Sequence, residues 1–161
     1  MRPPFVIVGV GNPWRGDDGV GWAVIDALEI SQGETAEAGA RALELVRADG
    51  EAARLIEWWD GRSLAVVVDA VGGGAPAGTI VELDHADLAS ADPSLGSHSL
   101  GVADAAALAA TLGRVPDRLV FIGVAGRVFG QGEPLSPEVV AAVPRVVQRI
   151  GTLIAKATTC A

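Results

Sequence analysis

The segment Phe5–Val10 places the tightest limit on what this chain can fold into. It reads FVIVGV, with no charged or polar side chain, and a glycine-rich loop (residues 9–16) follows it directly. A continuous apolar run of this length predicts a strand that is buried on both faces, as in a parallel sheet. Residues 20–28 then carry apolar side chains at helical spacing, and Asp17 or Asp18 is placed to cap that helix. The chain therefore opens with a strand–loop–helix unit.

The remainder of the chain continues to alternate between strand and helix patterns. The predicted elements are strands at residues 64–68, 79–83 and 119–124, and helices at residues 51–59, at 102–112 and from 137 onward. Residues 42–48 fit either a strand or a helix, and residues 87–99 are polar and predict a long loop. The alternation predicts an α/β fold, a single three-layer αβα domain over residues 1–161 with a mostly parallel central sheet of about five strands.

Charge and cysteine content exclude several classes of function. The 12 Lys and Arg residues face 20 Asp and Glu, giving a net charge of -8, so nucleic acid is not an expected partner. No apolar run approaches the roughly 20 residues that a membrane-spanning helix needs, and no signal peptide is evident. The sole cysteine, Cys160, allows neither an internal disulfide nor a CxxC zinc site. We expect a cytoplasmic monomer that does not associate with membranes.

Three polar sites follow predicted strands. Asp17 and Asp18 directly follow the glycine-rich loop, Asp69 comes directly after residues 64–68, and His98 stands where the polar loop meets a helix. Functional groups of open α/β sheets gather at the carboxyl ends of the strands, so these side chains are expected to meet. Carboxylate and imidazole ligands suit Ni²⁺ and Zn²⁺, and three protein ligands leave coordination positions open for a substrate.

Each of these residues also has a purely structural interpretation. One of Asp17 and Asp18 would cap the helix while the other is solvated, and Asp69 would cap a turn. A lone histidine such as His98 is more often structural than a ligand, and His85 lies in a polar turn that predicts a solvated side chain. The case for a metal site therefore depends on the three sites occurring together.

Conventional enzyme motifs are absent from the sequence. The glycine loop has Trp14 where a dinucleotide-binding loop needs its third glycine, and the acidic pair after it would repel a pyrophosphate. No HExxH zinc motif, GxSxG nucleophile motif or phosphate-binding GxxxxGK[ST] loop occurs. Nucleotide binding, a conventional zinc protease and a serine hydrolase are therefore all disfavoured. Trp14 itself is either packed over the sheet edge or exposed as a contact for a protein partner.

Several short motifs occur in a fixed order from one end of the chain to the other. They are Gly9-Val10-Gly11-Asn12, Asp17-Asp18-Gly19-Val20-Gly21, Val68-Asp69-Ala70, Ser97-His98-Ser99, Ile122-Gly123-Val124 and Leu135-Ser136-Pro137-Glu138-Val139. In this order they resemble the signature of the hydrogenase maturation endopeptidases. The resemblance spans nearly the whole chain, although the stretch around Trp14 departs from the family's more aliphatic loop.

The resemblance implies a cytoplasmic, aspartyl-type endopeptidase. Such an enzyme removes the C-terminal extension of the large-subunit precursor of a nickel–iron hydrogenase after nickel insertion. By resemblance, Asp18, Asp69 and His98 are the metal-binding and catalytic residues, and Asn12 and Asp17 support them. No permanently bound cofactor is expected, because the Ni²⁺ is carried by the precursor, although Zn²⁺ or Cd²⁺ could occupy the same site. The alternative is a non-catalytic, chaperone-like protein that binds nickel or the precursor.

Overall fold

A computed structural model describes residues 1–34, 42–90 and 97–159, with the backbone alone at residue 34 and at residues 97–100. The strands are β1 (Phe5–Val10), β2 (Leu43–Ala48), β3 (Leu64–Val71), β4 (Ile80–Asp84) and β5 (Arg118–Ala125). The helices are α1 (Val20–Glu34), α2 (Ala52–Trp59), α3 (His85–Ala89), α4 (Ser97–Leu112) and α5 (Pro137–Thr159). One turn of 3₁₀ helix, Gly16–Gly19, precedes α1.

The five strands form one sheet in the order β2-β1-β3-β5-β4. All neighbouring pairs are parallel except β4 with β5, which is antiparallel. The chain leaves β1 toward β2 on one side and returns to β3 on the other, so the strand order reverses between β1 and β3. The carboxyl ends of these two strands form the crevice in which open α/β sheets bind their ligands. The predicted α/β class and mostly parallel sheet are confirmed.

The apolar core has two halves, one on each face of the sheet. One half packs Val6, Val8 and Val10 of β1 against α2, α3 and α4. The other half packs Phe5 and Ile7 of the same strand against α1 and α5. Since successive side chains of a strand point to opposite faces, a strand covered on both sides must be apolar at every position. This requirement explains the continuous apolar run of β1.

Helix α1 begins in close contact with the sheet at the point where the strand order reverses. A methyl group added at Gly21 would overlap the Val10 carbonyl oxygen and would lie 2.6 Å from that of Val68. A methyl group added at Gly9 would overlap the Gly21 carbonyl oxygen in turn. Only glycine at these two positions permits so close an approach of the helix to the strands. The close approach places the 3₁₀ turn that precedes α1 directly above the ends of β1 and β3.

Strand β3 is longer than the sequence pattern indicates. Its apolar run ends at Val68, but the strand continues to Val71 because Asp69 pairs with Gly123 and the next two residues pair with β5. Asp69 therefore lies within a buried strand and is not part of a turn. The ambiguous segment at residues 42–48 is a strand, β2, paired along its whole length with β1.

The prediction of one long loop at residues 87–99 is wrong in two places. Its first three residues, 87–89, belong to α3, because Asp84 and Asp87 make a reciprocal capping box at the start of that helix, with the Asp87 N–H 2.8 Å from Asp84 Oδ1. Helix α4 begins at Ser97, five residues before the predicted start. His85 is not a solvated side chain, because its Nε2 is buried without a partner among the described residues.

None of the helices in the described ranges is long and apolar enough to cross a membrane. The single domain over residues 1–161, the monomeric state and the cytoplasmic location stay predictions. Cys160 lies outside the described residues.

Candidate active site

The glycine loop folds back on itself so that Asp18 lies against the end of β1. The Asn12 N–H donates both to the backbone oxygen of Asp18, at 3.2 Å, and to its Oδ2, at 3.1 Å. Gly11 adopts a φ of +135°, and a methyl group there would overlap the Asp18 carbonyl oxygen. Asn12 Oδ1 accepts the Trp14 N–H at 2.9 Å, so the Asn12 side chain stabilises the loop itself. Asp18 is only 4% exposed as a result.

Asp17 is fully buried and accepts four hydrogen bonds from the loop that joins β5 to α5. The donors are the N–H groups of Arg127 at 2.7 Å, Val128 at 2.9 Å and Ser136 at 2.7 Å, and the Ser136 hydroxyl at 2.9 Å. Burial alone would raise the pKa of Asp17, but these hydrogen bonds favour the ionised form and leave the pKa lowered. Asp17 is neither a solvated residue nor a cap of α1, and both structural interpretations of it are wrong.

Asp69 is buried within β3 and has one carboxylate oxygen without a hydrogen-bond donor. Its Oδ1 accepts the N–H of Ala70 at 2.8 Å, while its Oδ2 has no partner among the described residues. Burial, and then the negative charge of Asp18, raise the pKa of Asp69 well above its usual range. Its side chain lies on the same face of β3 as Val67 and Val71, the face that α2 and α4 cover.

The backbone of His98 lies in the first turn of α4. Three residues further along, a methyl group added at Gly101 would lie 3.3 Å from the Gly50 carbonyl oxygen. Gly50 in turn approaches Val10, at the carboxyl end of β1, where an added methyl group would be 3.1 Å from Val10 Cγ1. Helix α4 therefore starts near the carboxyl ends of the strands, on the face toward which Asp69 is directed. The His98 side chain lies outside the described residues.

The structure brings two of the three predicted ligands to one place. Asp18 and Asp69 are both buried at the reversal point of the sheet, and the charge of Asp18 acts on Asp69. Among the described side chains, which do not include that of His98, no group of three histidine, cysteine or acidic residues forms a metal site. The complete trio of Asp18, Asp69 and His98 therefore stays a prediction.

Sequence reasoning missed the partnership between Asp17 and Ser136. The pattern Leu135-Ser136-Pro137 marks the start of α5, and Pro137 is indeed its first residue. The Ser136 hydroxyl donates to Asp17, which is 119 residues away in the chain. The local hydrophobic pattern gives no information about a contact between residues so far apart in the chain. The one signal in the sequence is that the motifs containing Asp17 and Ser136 both belong to the ordered set of motifs that resembles the family signature.

Comparison with known proteins gives one family match and several similar folds. The family model described as HycI, hydrogenase maturation protease, matches residues 31–152, more than half of the chain. That range includes Asp69 and His98 but not the glycine loop. The curated protein sequences give no match.

Solved structures extend the similarity over nearly the whole chain. The hydrogenase maturating endopeptidase HybD of Escherichia coli superposes with a TM-score of 0.74 at 21% identity, covering 97% of this chain and 93% of that one. The maturation protease HybD of Thermococcus kodakarensis gives 0.71 at 23% identity, covering 95% and 99%. The maturation protease HycI of the same organism gives 0.67 at 22% identity, covering 92% and 90%. These identities establish a shared fold.

Proposed function

This chain belongs to the hydrogenase maturation protease family, and we propose that it removes the C-terminal extension of the large-subunit precursor of a nickel–iron hydrogenase after nickel insertion. In this proposal the precursor is both the substrate and the carrier of the nickel. The nickel is thus the signal that the client is loaded, and it docks at Asp18, Asp69 and His98.

The observation that carries the proposal is Oδ2 of Asp69, which is buried and has no partner among the described residues. A buried polar atom without a partner destabilises a fold by about 1–3 kcal/mol, so such atoms are uncommon in native proteins and call for an explanation. This atom lies at the reversal point of the sheet, beside a second buried acid, Asp18. Two neighbouring carboxylates repel each other in the free protein. A divalent cation bound between the two carboxylates would attract both, and this attraction would outweigh their mutual repulsion.

The chemistry of the three residues fits the metal that the client carries. Carboxylate oxygens and an imidazole nitrogen are ligands that Ni²⁺ accepts, and Zn²⁺ or Cd²⁺ would bind the same set. Three ligands from this chain leave coordination positions for those of the precursor. Binding through a shared metal fixes the precursor in one orientation, which places its scissile bond at the site.

Peptide hydrolysis at this site requires water to add to the scissile carbonyl carbon. The water gives up a proton, the C–N bond then breaks, and the departing amine takes a proton. A carboxylate of the pair accepts and returns that proton, or the docked nickel polarises the carbonyl or the water. Both routes need Asp18 and Asp69 in place, and neither needs a serine or cysteine nucleophile from this chain.

The proposal is tested by intact-mass measurement of a nickel-loaded precursor incubated with wild type, Asp69→Asn or Asp60→Asn. Asp60 is the matched control, because its carboxylate pairs with Arg114 on the surface, 2.9 Å from Arg114 Nε. We expect wild type and Asp60→Asn to release the C-terminal peptide and Asp69→Asn to release none. Cleavage by Asp69→Asn at the wild-type rate would overturn the assignment. Wild-type protein that binds the loaded precursor without shortening it would establish the chaperone-like alternative instead.

A further inference from the structure

We propose that Asp17 is a positioning residue, which holds Asp18 beside Asp69 by fastening the glycine loop and the 3₁₀ turn after it (together residues 11–19) to the β5–α5 loop (residues 126–136). The inference rests on the proposed function for the role of Asp18, and it adds Asp17 as a residue that acts by holding Asp18 in position. The contacts of Asp17, the packing around it and the direction of its neighbour each support it.

The carboxylate of Asp17 is saturated by donors from a single loop. Its Oδ2 accepts from the N–H groups of Arg127 and Val128 and from the Ser136 hydroxyl, and its Oδ1 accepts the Ser136 N–H. An ionised carboxylate offers about four acceptor positions, and Asp17 receives four donors. Hydrogen bonds to a charged, buried acceptor are the strong kind. The group also lies at the amino terminus of α5, where the helix dipole favours an anion.

Backbone contacts join the same two loops on either side of Asp17. The Asp17 N–H donates to the Val128 oxygen at 2.6 Å, and the Gly16 N–H donates to the Glu133 oxygen at 2.9 Å. A methyl group added at Gly126 would lie 2.8 Å from Asp17 Cβ, so the loops touch without room for a side chain. The two loops therefore form one rigid unit with Asp17 at its centre.

Asp17 and Asp18 are consecutive residues of a 3₁₀ turn, and their side chains diverge. In such a turn each residue is rotated by about 120° from the previous one. Asp17 is accordingly directed at the β5–α5 loop, while Asp18 is directed at the Asn12 N–H. The hydrogen bonds of Asp17 hold the backbone one residue away from Asp18, and they thereby fix the position of Asp18 at the ends of β1 and β3.

The decisive variant is Asp17→Asn, which keeps the shape of the side chain. An amide offers one oxygen only, so its NH₂ group must face either Ser136 N–H or the three donors to Oδ2. Ser136→Ala is the milder variant, since it removes only the hydroxyl donor. Glu44→Gln is the control for lost stability, because Glu44 pairs with the buried Arg62 at the opposite, amino-terminal end of the sheet.

The experiment measures amide hydrogen exchange of the metal-free protein and, in parallel, kcat and KM for a nickel-loaded precursor. We expect Asp17→Asn to speed exchange of the Asn12 amide about tenfold or more and to lower kcat by a similar factor. Ser136→Ala should also speed exchange of the Asn12 amide and lower kcat, but by smaller factors than Asp17→Asn. Glu44→Gln should change neither the Asn12 amide nor kcat, even where its melting temperature falls as far.

Two results would overturn the inference. One is an Asn12 amide that exchanges at the wild-type rate in Asp17→Asn. The other is a loss of kcat in Glu44→Gln equal to that in Asp17→Asn at matched stability, because a general loss of stability would then explain both. The exchange measurement needs no substrate, so it distinguishes failure of this inference from failure of the proposed function, which would show as wild-type protein that does not cut.

Discussion

Replacing Asp69 by asparagine should make the metal-free protein more stable while abolishing its function. The substitution preserves the shape of the side chain and the acceptor for the Ala70 N–H. It replaces Oδ2, which is buried without a partner among the described residues, by an NH₂ group, and it removes a carboxyl group whose ionisation burial and the charge of Asp18 oppose. An acid retained at a site where a neutral isostere fits better indicates a residue kept for function rather than for stability.

The size of the effect follows from the environment of Oδ2. A buried polar atom without a partner costs about 1–3 kcal/mol, and the amide removes this term if its NH₂ group donates to the carboxylate of Asp18. For a chain of this length each kcal/mol raises Tm by about 2–4 °C. We therefore expect Asp69→Asn to melt several degrees above wild type at neutral pH.

The gain in stability of Asp69→Asn over wild type should change with pH in one direction. The pKa of Asp69 is raised in the folded protein, so between its unfolded value of about 3.9 and its folded value the folded state binds more protons than the unfolded state. Wild-type stability therefore falls as pH rises through that window. Asparagine does not titrate, so the advantage of Asp69→Asn should be larger at pH 8 than at pH 5.

The assay is thermal unfolding of both proteins in the presence of a chelator at pH 5 and pH 8. Asp60→Asn serves as the control and should shift Tm little and downward, because exposed ion pairs contribute about 0–1 kcal/mol. A lower Tm for Asp69→Asn than for wild type at pH 8 would contradict this expectation. So would an advantage that grows toward acid pH.

Three further outcomes follow from the packing of the glycine loop, each checked by denaturant unfolding. Gly21→Ala should lower the free energy of unfolding by about 2 kcal/mol or more, because the added methyl group would lie 2.6 Å from the Val68 carbonyl oxygen. Gly33→Ala in the same helix is the control: its methyl group would meet nothing within 4 Å, so this variant should raise the free energy of unfolding by about 0.5–1 kcal/mol. Asp17→Asn should lower the free energy of unfolding by about 2–4 kcal/mol at pH 7. Because the pKa of Asp17 is lowered in the folded protein, the stability that its carboxylate contributes is complete above about pH 4 and is lost as pH falls through the folded pKa. The free energies of unfolding of wild type and Asp17→Asn should therefore converge in acid. Trp14→Ala should change stability by no more than about 0.5 kcal/mol, since the side chain is 71% exposed, and should raise KM for the precursor if Trp14 contacts it.

The sheet was predictable because burial on both faces leaves a direct mark on the sequence. β1 has the bounds that its apolar run predicts, and α2, β4 and β5 lie within a residue or two of the predicted ranges. The position of Asp18 and Asp69 at one edge also followed from the rule that parallel strands end together. Local patterns were sufficient where a single element determines its own burial.

Local patterns failed where a contact joins distant parts of the chain. Asp17 looks like a helix cap in sequence, yet its partners are 110 to 119 residues away and no periodicity reports them. The extension of β3 through Asp69 depends on pairing with β5, because a polar residue in isolation marks the end of an apolar run. The early start of α4 was hidden by the polar residues that begin it, which are helical in the structure.

Under the proposed function, this protein cuts its client only when nickel is present. The most direct measurement is the intact mass of one large-subunit precursor, prepared with and without nickel, before and after incubation with the wild-type protein. We expect loss of a C-terminal peptide from the nickel-loaded precursor and no change in the nickel-free one. Equal shortening of both preparations would contradict the nickel requirement, and no shortening of either would contradict the assignment of this client.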